Sequence, residues 1–232
     1  MILPNSEKII FNEGERLIPG RTHDLQEVIR HKSSYGFFKR IIEQDLSNKL
    51  VRLPLRILDY GCGVGHGCAL LAGIPGAYVV GVDVSLDCIA YAKRHYGRAN
   101  IDYHFIAVDF MESMPKFDYI VSRGVIEHIP NGLELVVNAR WGSRLIFNVP
   151  YNEPPGNPHH VLLGITEKDF APFKDAELFY EDLDGVTYDS NTKPPSPNMI
   201  TCVCSHPSLP RIESMGLPFP LPAWGENTSE KY

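Results

Sequence analysis

Between Leu55 and Pro150, short unbroken apolar runs alternate with segments whose apolar residues recur every three or four positions. The runs at 55–60, 78–83, 103–108, 118–122 and 144–149 read as buried strands, and the segments at about 64–72, 85–96 and 131–139 as helices. Such alternation implies a parallel sheet with right-handed crossovers. Upstream, Leu25, Val28, Ile29, Tyr35, Phe38, Ile41 and Ile42 keep helical spacing to about Leu46, behind a capping-box-like Asp24 and Glu27. His31, Tyr35 and Phe38 share one face of that helix, which either lines a lid or packs on the core.

Downstream, Thr166 to Phe173 predicts a short helix, and 176–182 with 199–204 a last pair of strands joined by Lys193-Pro-Pro-Ser-Pro. Residues 1–22 are punctuated by Gly14, Pro19 and Gly20 and read as irregular. From His206 the tail carries prolines at 207, 210, 218, 220 and 222 and is expected to be extended. Its Leu217–Trp224 stretch either docks on the domain or a second subunit, or stays disordered. The expected organisation is an N-terminal segment and cap helix over 1–50, one α/β domain over 51–205 and a proline-rich tail over 206–232.

The first strand runs into Asp59-Tyr-Gly61-Cys62-Gly63-Val-Gly65, three glycines at every second position behind an acid. Glycine lacks a Cβ, so this turn lets backbone amides approach a polar ligand at the start of the following helix. About twenty residues on, Tyr78-Val-Val-Gly-Val-Asp83 ends in the carboxylate that a βαβ unit sets against a ribose diol. Together they predict an adenosine-containing cofactor. A pyrophosphate suits G-x-G-x-x-G and would be repelled by Asp59, whereas the α-ammonium of a methionyl group would be attracted to it. The spacing therefore favours S-adenosylmethionine, with S-adenosylhomocysteine as product, over a dinucleotide.

With these motifs the chain resembles the class I S-adenosylmethionine-dependent methyltransferases. Three more segments carry the likeness: Ile101-Asp-Tyr-His-Phe-Ile-Ala-Val-Asp109-Phe110, Phe117 to Pro130 with Glu127-His128, and Arg144-Leu-Ile-Phe-Asn-Val-Pro150. The resemblance implies a doubly wound, Rossmann-like α/β sheet of seven strands in one domain, mostly parallel with one antiparallel strand. It implies a cofactor set of Asp59, Gly61, Cys62, Gly63, Gly65, Asp83, Val84, Asp109, Phe110 and Arg123, with Asp109 near the adenine. A narrower likeness rests on Phe11-Asn-Glu-Gly-Glu15-Arg16-Leu-Ile-Pro19-Gly20 and Asn157-Pro-His159-His160. It is to methyltransferases that accompany glycosyltransferases in surface-polysaccharide pathways, although Arg140-Trp-Gly-Ser stands where that group has a lysine-proline-glycine-glycine turn.

Composition narrows the acceptor. A net charge of −6 argues against nucleic acid, whose binding rests on phosphate neutralisation by Lys and Arg. No run of eighteen apolar residues and no apolar leader is present, so no membrane span and a cytoplasmic location are expected. The five cysteines spell neither a disulfide framework nor a metal site. The narrower likeness implies as acceptor a sugar hydroxyl, of a nucleotide-linked sugar or glycan precursor, or another small molecule, and the expected state is a monomer or homodimer. An aromatic or natural-product acceptor, with Phe37, Phe38 and Trp224 as an apolar lid, is the alternative, as is a protein that holds the cofactor without turnover.

A sugar hydroxyl needs a general base. His160, on the loop after the fifth strand, is the first candidate and His128 the second, with a reaction that uses no histidine base also open. His159, Glu127, Tyr35 and Arg16 are expected at the substrate side or lid, and Arg16 is alternatively part of a surface ion pair. No metal is expected, because only Glu153 near His159 and His160 suggests a ligand group.

Overall fold

The computed structural model describes residues 5–12, 16–21, 25–106 and 113–224. β1 (Leu55–Tyr60) pairs in parallel with β2 (Ala77–Asp83) on one side and β4 (Phe117–Arg123) on the other. β3 (Ile101–Phe105) flanks β2, and β5 (Trp141–Pro150) flanks β4, again in parallel. β8 (Met199–Ser205) then inserts antiparallel between β5 and β6 (Glu177–Glu181). With β7 (Thr187–Tyr188) at the far edge, the sheet order is β3-β2-β1-β4-β5-β8-β6-β7. Winding reverses between β1 and β4, which parts the loops there and opens a crevice at the strands' C-terminal ends.

The strands read as unbroken apolar runs because both faces of the sheet are covered. Ile57, Val79, Val121 and Ile146 face a core closed by Phe38, Ile41 and Ile42 of α2 (Leu25–Ser47) and Leu71 of α3 (His66–Leu71). Their neighbours Leu58, Val82, Ile120 and Phe147 face a second core with Leu135 and Val136 of α5 (Gly132–Val137). α4 (Leu86–Tyr96) is capped by Ser85, whose hydroxyl accepts from Cys88 N–H at 3.3 Å.

Several sequence expectations shift. Among the described residues the sheet has eight strands rather than seven, because β7 (Thr187–Tyr188) adds an edge to β6. Two residues show no period; a turn makes this strand, with Asp182 accepting from Val186 N–H at 2.9 Å and from the Tyr188 hydroxyl at 2.8 Å. β3 begins two residues earlier than expected, and Asp109 and Phe110 lie outside the described residues. The expected helix at 166–173 shrinks to a 3₁₀ turn, Glu167–Phe170, since Pro172 has no N–H to continue a ladder. Part of the expected irregular N-terminus is α1 (Asn5–Asn12), whose Ile10 buries against Ile18, Val64 and Cys88.

The tail docks. Thr187 and Leu221 exchange backbone hydrogen bonds at 2.8 and 3.0 Å, Phe219 stacks on Phe179, and Trp224 N–H donates to Ser33 Oγ at 2.8 Å. The Trp224 ring lies so close to Gly36 that a Cβ there would sit 2.1 Å from it.

Candidate active site

A cavity of about 890 Å³ opens over the C-terminal ends of β1, β2, β4 and β5. On one side the chain leaves β1 through Gly61, Gly63 and Gly65 at φ of 77°, 51° and 89°, values that favour glycine. A Cβ on Gly61 would lie 2.3 Å from Val125, and one on Gly65 2.7 Å from Ala92, whereas one on Gly63 would meet nothing within 4 Å. The outer two glycines answer to packing; the middle one keeps the cavity floor open. Asp83, at the end of β2, accepts from Gly63 N–H at 2.8 Å and Ser85 N–H at 2.9 Å, which fixes its carboxylate in the cavity wall. Arg16 Nη2 lies 4.0 Å from Asp83 Oδ1.

Asp59 takes a different place from the one expected. It does not line the cavity. Strand alternation puts it on the α2 face of β1 with Ile57, fully buried beneath the loop. There the Tyr35 hydroxyl donates to Oδ1 at 3.0 Å and the Cys68 thiol to Oδ2 at 3.1 Å. Burial pushes the Asp59 carboxyl up to about 7, against the lowering effect of these donors. Gly65 is likewise outside the lining, while Tyr35, Cys62, Val84 and Arg123 are in it.

A polar corner next to the loop was only partly legible. α2 contributes Glu27 and His31, α3 His66 and β4 Arg123. The two imidazole rings are 5.6 Å apart, and His31 Nε2 lies 3.0 Å from Glu27 Oε1 and 2.5 Å from Arg123 Nη1. Both nitrogens of His66, Nδ1 of His31 and Nε of Arg123 are buried without a protein partner. Burial, with the Arg123 charge second, pushes His31 down to about 4. Burial holds His66 well below the ordinary range, so both rings are neutral near pH 7. His31 was placed on a candidate lid face; His66, inside the glycine loop itself, was missed.

The opposite wall joins the 3₁₀ turn Ile126–His128 after β4 to the loop after β5. Val161 and Leu162 N–H both donate to the Glu127 carbonyl, at 2.9 and 3.0 Å, and His128 Nδ1 is 2.9 Å from the His159 carbonyl oxygen. These ties bring His160 beside His128, with ring centroids 4.6 Å apart, and put His160 Nε2 4.0 Å from Glu127 Oε1. The other ring nitrogen of His160, Nδ1, is hydrogen-bonded to Glu153. Burial raises the Glu127 carboxyl to about 7, and its Oε2 is buried with no protein partner. One ligand-type atom from each of Glu127, His128 and His160 lies within 4.8 Å of the other two. The expectation of no metal weighs only Glu153, His159 and His160 as ligand groups. Folding exposes His159 and replaces it with Glu127 and His128. Phe37 and Phe38, expected at an apolar lid, are core residues outside the cavity lining, and Trp224 packs on the middle of α2 at Ser33 and Gly36.

A doubly wound sheet whose first turn carries G-x-G-x-G, and whose second strand returns a carboxylate to that turn, is the class I methyltransferase fold. Residues 54–140, the segment from β1 to α5, match the family profile described as a methyltransferase domain. A ubiquinone biosynthesis O-methyltransferase of Bradyrhizobium diazoefficiens is 36% identical over 108 residues, 38% of this chain and 42% of that one. The chain thus spans less than half the length of this curated relative.

Among solved structures, the N-terminal domain of EvdMO1 in the presence of SAH and D-fucose aligns with a TM-score of 0.57 at 14% identity, over 88% of this chain and 97% of that one. WbdD aligns with a TM-score of 0.57 at 18% identity, over 86% of this chain and 47% of that one. At these identities the likeness is one of fold.

The cavity suits S-adenosylmethionine on its own geometry. The open face at Gly63, the fixed carboxylate of Asp83, and the unpartnered polar atoms of His31, His66 and Arg123 are what a nucleoside joined to a charged amino acid would satisfy.

Proposed function

We propose that the protein transfers the methyl group of S-adenosylmethionine to a hydroxyl oxygen of a polar, sugar-type acceptor, a nucleotide-linked sugar or glycan precursor, in the cytoplasm. The observation that carries this reading is that one cavity has the glycine loop with Asp83 on one wall and the Glu127–His128–His160 cluster with Glu153 on the other. Methyl transfer from a sulfonium is an in-line displacement, so alignment supplies much of the catalysis. A sugar hydroxyl attacks poorly until it loses its proton, and the His160 cluster is placed to promote that loss.

The acceptor wall favours a polar substrate. Glu153, Asn157 and Asn198 line the cavity together with the histidines and Tyr151. Phe37, Phe38 and Trp224, the lid that would suit a phenolic acceptor, lie outside the cavity lining. The name of the Bradyrhizobium relative, an O-methyltransferase, supports oxygen as the accepting atom. Among the described residues no helix is long and apolar enough to cross a membrane.

The test is S-adenosylhomocysteine formation with a panel of nucleotide sugars and small phenols. Turnover on a nucleotide sugar, falling about 100-fold or more in His160→Ala with cofactor affinity unchanged, is expected. Turnover on phenols alone would overturn the sugar assignment, and full activity of His160→Ala would remove that wall from the chemistry.

A further inference from the structure

We infer that Glu127, His128 and His160 form a binding site for a divalent transition-metal cation in the acceptor wall of the cavity. Two imidazoles and one carboxylate are the donor set of three-ligand catalytic metal sites that keep a position open. Imidazole nitrogen selects zinc and its first-row neighbours over magnesium and calcium, which prefer oxygen alone.

The surroundings of the two rings agree. His128 directs Nδ1 at the His159 carbonyl oxygen and His160 directs Nδ1 at Glu153. A backbone carbonyl and a carboxylate are the outer partners that orient metal-binding histidines and make Nε2 the ligating nitrogen of each ring. Glu127 is 2% exposed, with Oε2 buried and unpartnered, an expensive arrangement for a carboxylate that nothing coordinates. One ligand-type atom of each residue lies within 4.8 Å of those of the other two, and about 3.3 Å separates ligands around a tetrahedral zinc, so side-chain shifts complete the site.

The inference deepens the hydroxyl-activation reading and rests on it for purpose. All three residues line the cavity, so a cation held by them would lower the pKa of an acceptor hydroxyl that reached it. Metal binding itself is measured without cofactor or acceptor, so its failure is distinct from failure of the methyl-transfer reading.

The experiment is calorimetric titration of the metal-free protein with Zn²⁺ alone. One equivalent should bind, at least tenfold more weakly in Glu127→Gln and His160→Ala, about 10- to 100-fold more weakly in Glu153→Gln, and unchanged in His206→Ala. No binding by the unsubstituted protein, or binding that survives Glu127→Gln and His160→Ala, would overturn the site. Thermal melts without metal check that the variants fold. Should one not fold, ¹⁵N-histidine spectra of the unsubstituted protein decide: Zn²⁺ shifts His128 and His160, or it shifts other histidines and the site is wrong.

Discussion

Two buried polar clusters lie against this sheet, and only one is internally complete. Arg144 on β5 and Asp45 on α2 are both fully buried. The Arg144 guanidinium donates from Nε and Nη2 to Asp45 at 2.7 and 2.8 Å, from Nη2 to the Pro210 carbonyl at 3.1 Å, and from Nη1 to Ser205. The Tyr119 hydroxyl adds a bond to Asp45 at 2.9 Å. Around the cavity, His66 and Glu127 are buried and His31 and Arg123 partly buried, yet each keeps a buried polar atom with no protein partner. A buried charge whose bonds are all met by the chain joins tail, sheet and helix. A set of bare polar atoms in one cavity wall has a cost that a bound molecule can offset.

That contrast can be broken at either end. The largest effect belongs to the complete cluster: Arg144→Met strands Asp45 in the core and should cost about 3–5 kcal/mol in urea unfolding, much of it recovered when Asp45→Leu is added. A small loss in the single variant would mean that water reaches the pair.

A smaller effect comes from Asp59. Its carboxyl is raised to about 7 from an ordinary 3.8, so the folded chain keeps a proton that the unfolded chain has released. The stability this gives is full below about pH 4 and is lost as pH rises to about 7. Asp59→Asn should flatten the pH dependence of unfolding over that interval by up to about 1.4 kcal/mol per pH unit. An unchanged slope would mean that Asp59 is ionised in the fold. Glu127 and Glu181, also raised to about 7 by burial, leave a residual slope of the same sign.

The smallest change in stability is expected for His66→Ala, which removes a ring with no partner at either nitrogen. Unfolding free energy should stay within about 1 kcal/mol, while affinity for S-adenosylhomocysteine falls about tenfold. The reverse pattern would make His66 a packing residue like those of the complete cluster.

The parts of the site that were legible in the sequence are those fixed by covalent spacing. A glycine loop after a strand and an acid at the end of the next strand are one βαβ unit apart, so Gly63 and Asp83 meet whatever the rest of the fold does. The parallel order of β1 to β5 followed from the alternation of strand and helix for the same reason. Asp59 misled because its neighbours in sequence say nothing of which sheet face it takes; α2 decides that by placing Tyr35 over it. Glu127, His128 and His160 are each legible as site candidates, but their meeting is not, because it depends on the loop after β5 folding back, through Val161 and Leu162, onto a turn after β4. α1 and β7 were missed because eight and two residues are too few to show a period.

The most direct test is calorimetric titration of the unsubstituted protein and Asp83→Ala with S-adenosylhomocysteine. We expect one site per chain, with affinity about 10- to 100-fold weaker in Asp83→Ala and an unchanged melting temperature within a few degrees. No binding by the unsubstituted protein, or equal binding by both, would contradict the assignment of this cavity to S-adenosylmethionine.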